Sequence, residues 1–283
     1  MKAHILEPLG IRVRRVGAEI AFGFGDCIFG IPAIKLISET HGCGVDVAVQ
    51  AQCSDAFLNV PFINKTINVD NCWSGIGHFH DQRYDFAYQL TPYSKFNHYK
   101  SLDPSFSLLD CSKRLASELG IEVTDQRPLI YLSDQEKLAA ANFLAKLSNG
   151  KPVVAIESHA KSGQSWADLT AVRKIIDYWK NKAHILWLSH TQAVEDTLGL
   201  ANYTRREIIA MLCGIDHFYS VGSGFFCASL VEGLKPKHTT VMWIDESYKY
   251  TRRLSELGWN DDITWAHNII ELEAALHSYD GHY

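Results

Sequence analysis

Short apolar runs alternate with helical segments along most of this chain, and that alternation limits its fold more than any other feature. From residue 17 to about 90 the order is GAEIAFGF, CIFGIPAIKLISETHG, GVDVAVQ, SDAFLNVPFI, KTINVD and YDFAYQL. Strands separated by short helices pair in parallel, with the crossovers covering the faces of the sheet. DCSKRLASELG, ending on a glycine, predicts a further helix over 110–120. Ser133 followed by Glu136 is a capping-box signature and predicts a helix over about 134–147. The cycle then restarts with VVAIES, DLTAVRKIIDYWK, AHILWLS, TRREIIAMLCG, DHFYSV, GFFCASLVEGL and TTVMWI. Two α/β units follow, joined near 124–152 and assigned to 1–145 and 146–283, and the interface of two such units is a natural place for a cleft.

Composition removes several classes. With 47% hydrophobic and 21% charged residues among 283, the chain reads as an ordinary globular protein. Its net charge of -5 gives no basic field for a nucleic-acid backbone, so nucleic acid is unsupported as a partner, although Arg205-Arg206 and Arg252-Arg253 are local basic patches. No apolar run approaches the ~20 residues that span a bilayer, and MKAHILEPLGIRVRR lacks the apolar core of a secretion signal. A cytoplasmic protein is expected, with room left for peripheral membrane contact. The seven cysteines (27, 43, 53, 72, 111, 213, 227) are odd in number, form no CxxC pair and read as reduced packing residues.

Two strand-glycine-helix turns carry the candidate chemistry. In FGFGD the acid Asp26 stands where a helix begins. A dinucleotide reading, with Asp46 as the ribose acid, fails because the fingerprint's third glycine would be Ile28 and Asp26 would face the pyrophosphate. Asp26 is either a general base at the end of the first strand or a simple helix cap. In SVGSGFF no acid stands at the turn, so Gly222, Ser223, Gly224 and Phe225 would offer backbone N–H groups and a hydroxyl to a diphosphate, or form a plain tight turn.

The polar loop ESHAKSGQSW follows a strand and offers Ser158, His159, Lys161, Ser162 and Gln164, either as charge neutralisers for a leaving phosphate or as solvated surface. SHTQAVED places His190, Thr191 and Glu195 after the next strand, on the edge where parallel sheets bind ligands. His78, His80 and Asp81 in GHFHDQR are too few and too irregular for a metal site and read as a surface loop. Tyr248, Tyr250, Trp259 and Trp265 read as packing residues.

With these segments in order, the chain resembles glycosyltransferase family 9, the ADP-heptose heptosyltransferases, over nearly its whole length. GFGDCIFGIPAIKL is similar to the family's first motif at Gly25, Asp26, Pro32 and Ala33, and YDFAYQL, LASELGIEV and RPLIYLSDQEK are similar to its later segments. VVAIESHAKSGQSWADL is similar to the donor-domain strand with its K-x-W loop, and TRREIIAMLCGIDHFYSVGSGFFCASL to the region ending in its DSG..H turn. The resemblance implies a GT-B fold, two Rossmann-like domains with parallel sheets facing a central cleft, the last helix crossing back to the first domain. It implies an inverting, metal-independent transfer of a heptose-like sugar from a nucleotide-diphosphate donor, ADP-linked by preference, to a hydroxyl of a glycan or protein, as in lipopolysaccharide or glycan biosynthesis.

On this resemblance Asp26 is the base, and Gly25 and Cys27 beside it meet the acceptor. Donor contacts fall on Ser158, His159, Lys161, Gln164, His190, Thr191, Glu195, the adenine-side Tyr203, and Gly222, Ser223, Gly224 and Phe225, with no cofactor and no metal. The sequence departs from the family where its acid and histidine become Gly222 and Cys227 and its K-x-W lysine becomes Gln164. A degenerate nucleotide-sugar binder, a nucleotide-sugar epimerase and a DNA-modifying glucosyltransferase are the alternatives.

Overall fold

The computed structural model describes residues 14–20, 23–70, 74–90, 115–116, 119–120, 127–159, 165–188, 193–243, 254 and 263–279. The chain divides into two compact units, Met1–Tyr131 and Leu132–Tyr283.

In the first unit the described strands are β1 (Val16–Ile20), β2 (Val45–Gln50), β3 (Ile63–Val69) and β4 (Phe86–Gln89), all parallel, in the order β3-β2-β1-β4. β1 and β2 are buried almost throughout, as central strands covered on both faces must be. Helix α1 (Phe24–His41) packs twelve buried residues and ends on Gly42, whose φ of 65° is the left-handed cap that glycine adopts without strain. A 3-10 helix (Ala51–Phe57) follows β2, and α2 (Ser74–Asp81) precedes β4. The segment expected to be a surface loop at His78 and His80 is therefore helical; it carries Phe79, fully buried and in ring contact with Tyr84, into the core.

Pro32 lies inside α1, and a proline has no N–H to give the carbonyl four residues back. That carbonyl belongs to Ile28, and it accepts the N–H of Leu129 at 3.4 Å instead. Asn59 Nδ2 donates to the Tyr131 carbonyl at 3.3 Å, and the Phe62 and Tyr131 rings meet edge to face. Residues 127–131 are thus tied to the first unit up to its last residue.

The second unit is built on β5 (Val153–Ile156), β6 (His184–Trp187), β7 (Leu198–Gly199), β8 (His217–Ser220), β9 (His238–Met242) and β10 (Ile263–Ala266), again parallel, in the order β10-β9-β8-β5-β6-β7. Its described helices are α3 (Asp134–Ser148), α4 (Leu169–Trp179), α5 (Arg205–Met211), α6 (Gly224–Ser229) and α7 (Ile269–His277). α4 and α7 pack together, and Ile175, Ile176, Trp179, Leu272 and Leu276 form one core with Val154, Ile156, Trp187 and Tyr219 of the sheet. Inside it the Trp179 indole N–H donates to the Tyr219 hydroxyl at 3.0 Å, which satisfies two buried polar atoms at once. α3 starts at the expected capping box and packs on α5, where Glu136 forms a two-pronged ion pair with the buried Arg206. β7 and β10 were not separated from their surroundings in the sequence: β7 has two residues, and β10 lies within the aromatic segment read only as packing.

Candidate functional site

β1 is buried along its length, and α1 starts at Phe24 with Gly23 as its N-cap, so Asp26, three residues after the cap, stands in the first helical turn at the carboxyl end of the strand. Its Oδ2 accepts the Gly23 N–H at 2.6 Å. Asp26 therefore does cap its own helix, and the two readings of it coexist in one geometry. Burial pushes its carboxyl up to about 6, against the opposing pull of the Gly23 N–H. A carboxylate tuned toward neutrality and still partly exposed can accept a proton from an attacking hydroxyl. Gly25 and Cys27 beside it are buried. The Cys27 thiol is hydrogen-bonded to Cys53, which together with burial and the neighbouring Asp26 and Asp55 charges holds it well above the usual thiol range. Cys27 thus faces the interior, and its side chain is spent on Cys53.

Asp46, the discarded ribose acid, is the second residue of β2, toward the amino end of the strand, where a bound ribose would not lie. It is buried and accepts from Asn64 Nδ2 at 2.8 Å and from the Tyr84 hydroxyl, with Lys65 Nζ at 3.5 Å. It is a structural carboxylate.

In the second unit the turn after β8 runs through Gly222, whose φ is 69°. A Cβ on Gly222 would stand 2.0 Å from the Trp243 ring, so this position needs glycine both for its backbone and for its space. Gly222→Ala should lower stability by about 3 kcal/mol, the sum of left-handed strain and overpacking. A urea midpoint equal to that of wild type would show that Trp243 yields freely. Ser223 is the N-cap of α6: its Oγ accepts the Phe225 N–H at 3.0 Å. Its hydroxyl proton goes to Glu157 Oε1 in a short hydrogen bond.

The expected diphosphate seat is therefore only partly open. The Phe225 N–H and the Ser223 hydroxyl are engaged within the protein, while the N–H groups of Gly222, Ser223 and Gly224 meet no acceptor among the described residues.

Glu157 is the functional candidate that sequence reasoning passed over. It follows β5, is 3% exposed, and lies beside the end of β8, where Tyr219 accepts its N–H at 2.8 Å. Its carboxylate receives Ser220 Oγ at 2.8 Å, Ser223 Oγ and the Val221 N–H. Burial pushes it up to about 7 in spite of those three donors. The signal was available: an acid directly after the apolar run VVAI, beside a second parallel strand that ends in serine.

Of the other expected donor contacts, Ser158 is half-buried and His159 exposed just beyond Glu157, on the same edge. Lys161, Gln164, His190 and Thr191 lie outside the described residues, as do Ser162, Tyr248, Tyr250 and Trp259. Glu195 is exposed in the turn that enters β7 from its amino end. Because β7 runs parallel to β6, the chain has already crossed back by residue 195, and Glu195 stands toward the edge opposite the one expected. Its charge acts there on Lys180, the cap at the end of α4. Tyr203 is half-buried before α5, with its ring 5.3 Å from that of Phe143 on α3. A cavity of about 340 Å³ opens between the starts of α4 and α7, lined by Trp166, Asp168, Thr170, His267, Asn268 and Ile269. The Trp166 indole N–H donates to the Ala266 carbonyl at 2.6 Å across its floor. Among the described residues no group of three or more His, Cys, Asp or Glu is placed to hold a metal.

No model of a protein family and no curated protein matches the sequence. Solved structures do match in fold. A family 9 glycosyl transferase from Veillonella parvula aligns with 95% of this chain and 97% of its own, at a TM-score of 0.64 and 10% identity. The ADP-heptose lipopolysaccharide heptosyltransferase II of E. coli aligns over 94% and 99%, at 0.56 and 13%. TibC of enterotoxigenic E. coli, described as an iron-containing dodecameric glycosyltransferase, aligns over 82% of this chain and 59% of its own, at 0.55 and 12%. The chain thus has the two-domain α/β fold of these glycosyltransferases, as its strand order and parallel sheets require.

Proposed function

We propose that the protein is an inverting glycosyltransferase that moves a sugar from a nucleoside-diphosphate donor to a hydroxyl of a glycan or protein. The observation that carries this reading is Asp26: a partly exposed carboxylate at the carboxyl edge of the first sheet, with its proton affinity raised by burial to about 6. Asp26 takes the proton of the acceptor hydroxyl as that oxygen attacks the anomeric carbon, and the nucleoside diphosphate departs. The acceptor belongs to the first unit and the donor to the second. The N–H groups of Gly222, Ser223 and Gly224, which meet no acceptor among the described residues, take charge from the leaving diphosphate. α6 has only six residues, so the contribution comes from the turn and not from a long helix dipole. Ser158 and His159, on the same edge as Glu157, complete the donor side, and Tyr203 offers a ring edge to the base. ADP-heptose is the first donor to try, since heptosyltransferase II shares the fold. In this reading no metal enters the reaction.

The test is donor consumption. ADP-heptose, ADP-glucose, GDP-mannose and UDP-glucose are each incubated with glycan and peptide acceptors, with and without chelator; transfer is read by mass spectrometry and the anomeric configuration of the product by NMR. Transfer of a sugar with inverted anomeric configuration, undiminished by EDTA, is the expected result. Transfer abolished by EDTA and restored by one metal would remove the metal-free mechanism.

Two observations favour a second reading. Asp26 already caps its helix and the Ser223 hydroxyl is already engaged, which is what a chain that binds a nucleotide sugar without transferring it would also show. Such a chain would be stabilised by the donor through mass action yet leave it unconsumed.

A further inference from the structure

Ser223 has one hydroxyl proton, and in this structure it is given to Glu157. The same Oγ accepts the Phe225 N–H at 3.0 Å, so as long as Glu157 is a carboxylate the hydroxyl has nothing to offer a ligand at the turn. Glu157 is itself buried, with the Ser220 hydroxyl and the Val221 N–H as its remaining partners. Among the described residues no cation pairs with it. On β8 the Tyr219 phenol takes the Trp179 indole N–H, on α6 Cys227 is a buried thiol, and beyond β5 the next titratable side chain among the described residues is the exposed His159.

We propose that Glu157 is the positioning residue of the donor turn: it holds the Ser223 hydroxyl while the site is empty, and takes up one proton when a nucleoside diphosphate binds, releasing that hydroxyl to the ligand. The proposal rests on the reading of this turn as the donor site. Its physical reason is charge. A diphosphate arriving at the turn brings negative charge close to a buried carboxylate with no cation paired to it among the described residues, and two like charges in a medium of low polarity are relieved by protonating one of them. The balance is simple: one proton passes from solvent to Glu157, and no covalent bond between heavy atoms changes. As a carboxylic acid Glu157 donates its one proton from Oε1 to Ser223 Oγ, so that oxygen keeps a partner while its own proton turns outward, and Oε2 goes on accepting from Ser220. Burial has already brought the group near the point of exchange.

The experiment uses the full chain and ligands whose diphosphate is esterified at both ends, so that the ligand itself does not titrate near neutrality. The tightest of ADP-ribose, ADP-glucose, GDP-mannose and UDP-glucose is titrated calorimetrically at pH 7.5 in buffers of different ionisation enthalpy. The expected result is net uptake of up to one proton per ligand, with affinity falling toward about tenfold per pH unit above pH 8. In Glu157→Gln, which keeps the shape and can still donate to Ser223, uptake should vanish and affinity should hold level from pH 6.5 to 8.5. Binding by wild type without proton uptake overturns the proposal and leaves the donor site standing, and so does uptake that persists in the glutamine variant. If none of the four ligands binds, the donor reading falls and this proposal falls with it. The wild-type measurement stands alone should the variant not fold.

Discussion

Asp26→Asn should slow transfer by roughly 10²–10⁴-fold while leaving the fold as stable as before or slightly more so. The two halves of this result separate the base from the cap. Asparagine still presents an oxygen to the Gly23 N–H, so the start of α1 keeps its hydrogen bond, and the variant loses only the ability to take a proton. Removing a carboxylate that burial disfavours relieves the fold, which is why no loss of stability is expected. The base works only when ionised, so kcat/KM of the wild type should rise with pH through about 6 and level off above it. Initial rates across pH 5 to 8, beside thermal melts of both proteins, check the whole prediction. An asparagine variant that transfers as fast as wild type would return Asp26 to the role of a cap.

Arg206→Ala should destabilise the second unit by about 3 kcal/mol or more, because it leaves half of a buried ion pair without its partner. Arg206 is 4% exposed and reaches Glu136 with two nitrogens, at 2.5 and 2.9 Å, while the same carboxylate accepts the N–H and hydroxyl of Ser133 at the start of α3. The guanidinium, more than any other partner, holds the Glu136 carboxyl down at about 2. A carboxyl bound more weakly to protons in the folded state stabilises the fold above its ordinary value near 4.5 and loses that contribution as pH falls toward 2. The gap between wild type and variant in urea unfolding should therefore be wide at pH 7 and narrow between pH 4.5 and 2. Arg206→Lys keeps the charge and loses the planar fork, so it should fall between them. Equal urea midpoints for wild type and the alanine variant at pH 7 would mean that α3 docks by its apolar contacts alone.

What the sequence made legible was whatever is written in local chemistry. Ser133 and Glu136 marked the start of α3 because a capping box needs both residues at that spacing, and the helix runs Asp134–Ser148. FGFGD and SVGSG marked both strand-to-helix turns because the glycines punctuate them, and a helix begins within each, at Phe24 and at Gly224. What could not be read depends on neighbours distant in sequence. Glu157 becomes a candidate only when β5 and β8 lie side by side and bring Ser220 and Ser223 to it. Glu195 was placed on the wrong edge because a two-residue parallel strand gives no pattern to announce that the chain has turned back. Asp26 was legible as an acid at a helix start, but the rise in its proton affinity comes from burial and could not be.

Pro32 gives the proline of the first motif a purpose that its own helix does not explain. A helix with every bond made offers nothing for another part of the chain to recognise, whereas one that lacks a single donor displays one acceptor at one height along its axis. Ile28 is that acceptor and Leu129 answers it, so the imperfection works as an address written early in the chain and read much later. It ties the chain to α1 two residues before the first unit ends at Tyr131. The chain is held there by a carbonyl left open by a residue that no capping or propensity rule would have chosen for the middle of a helix.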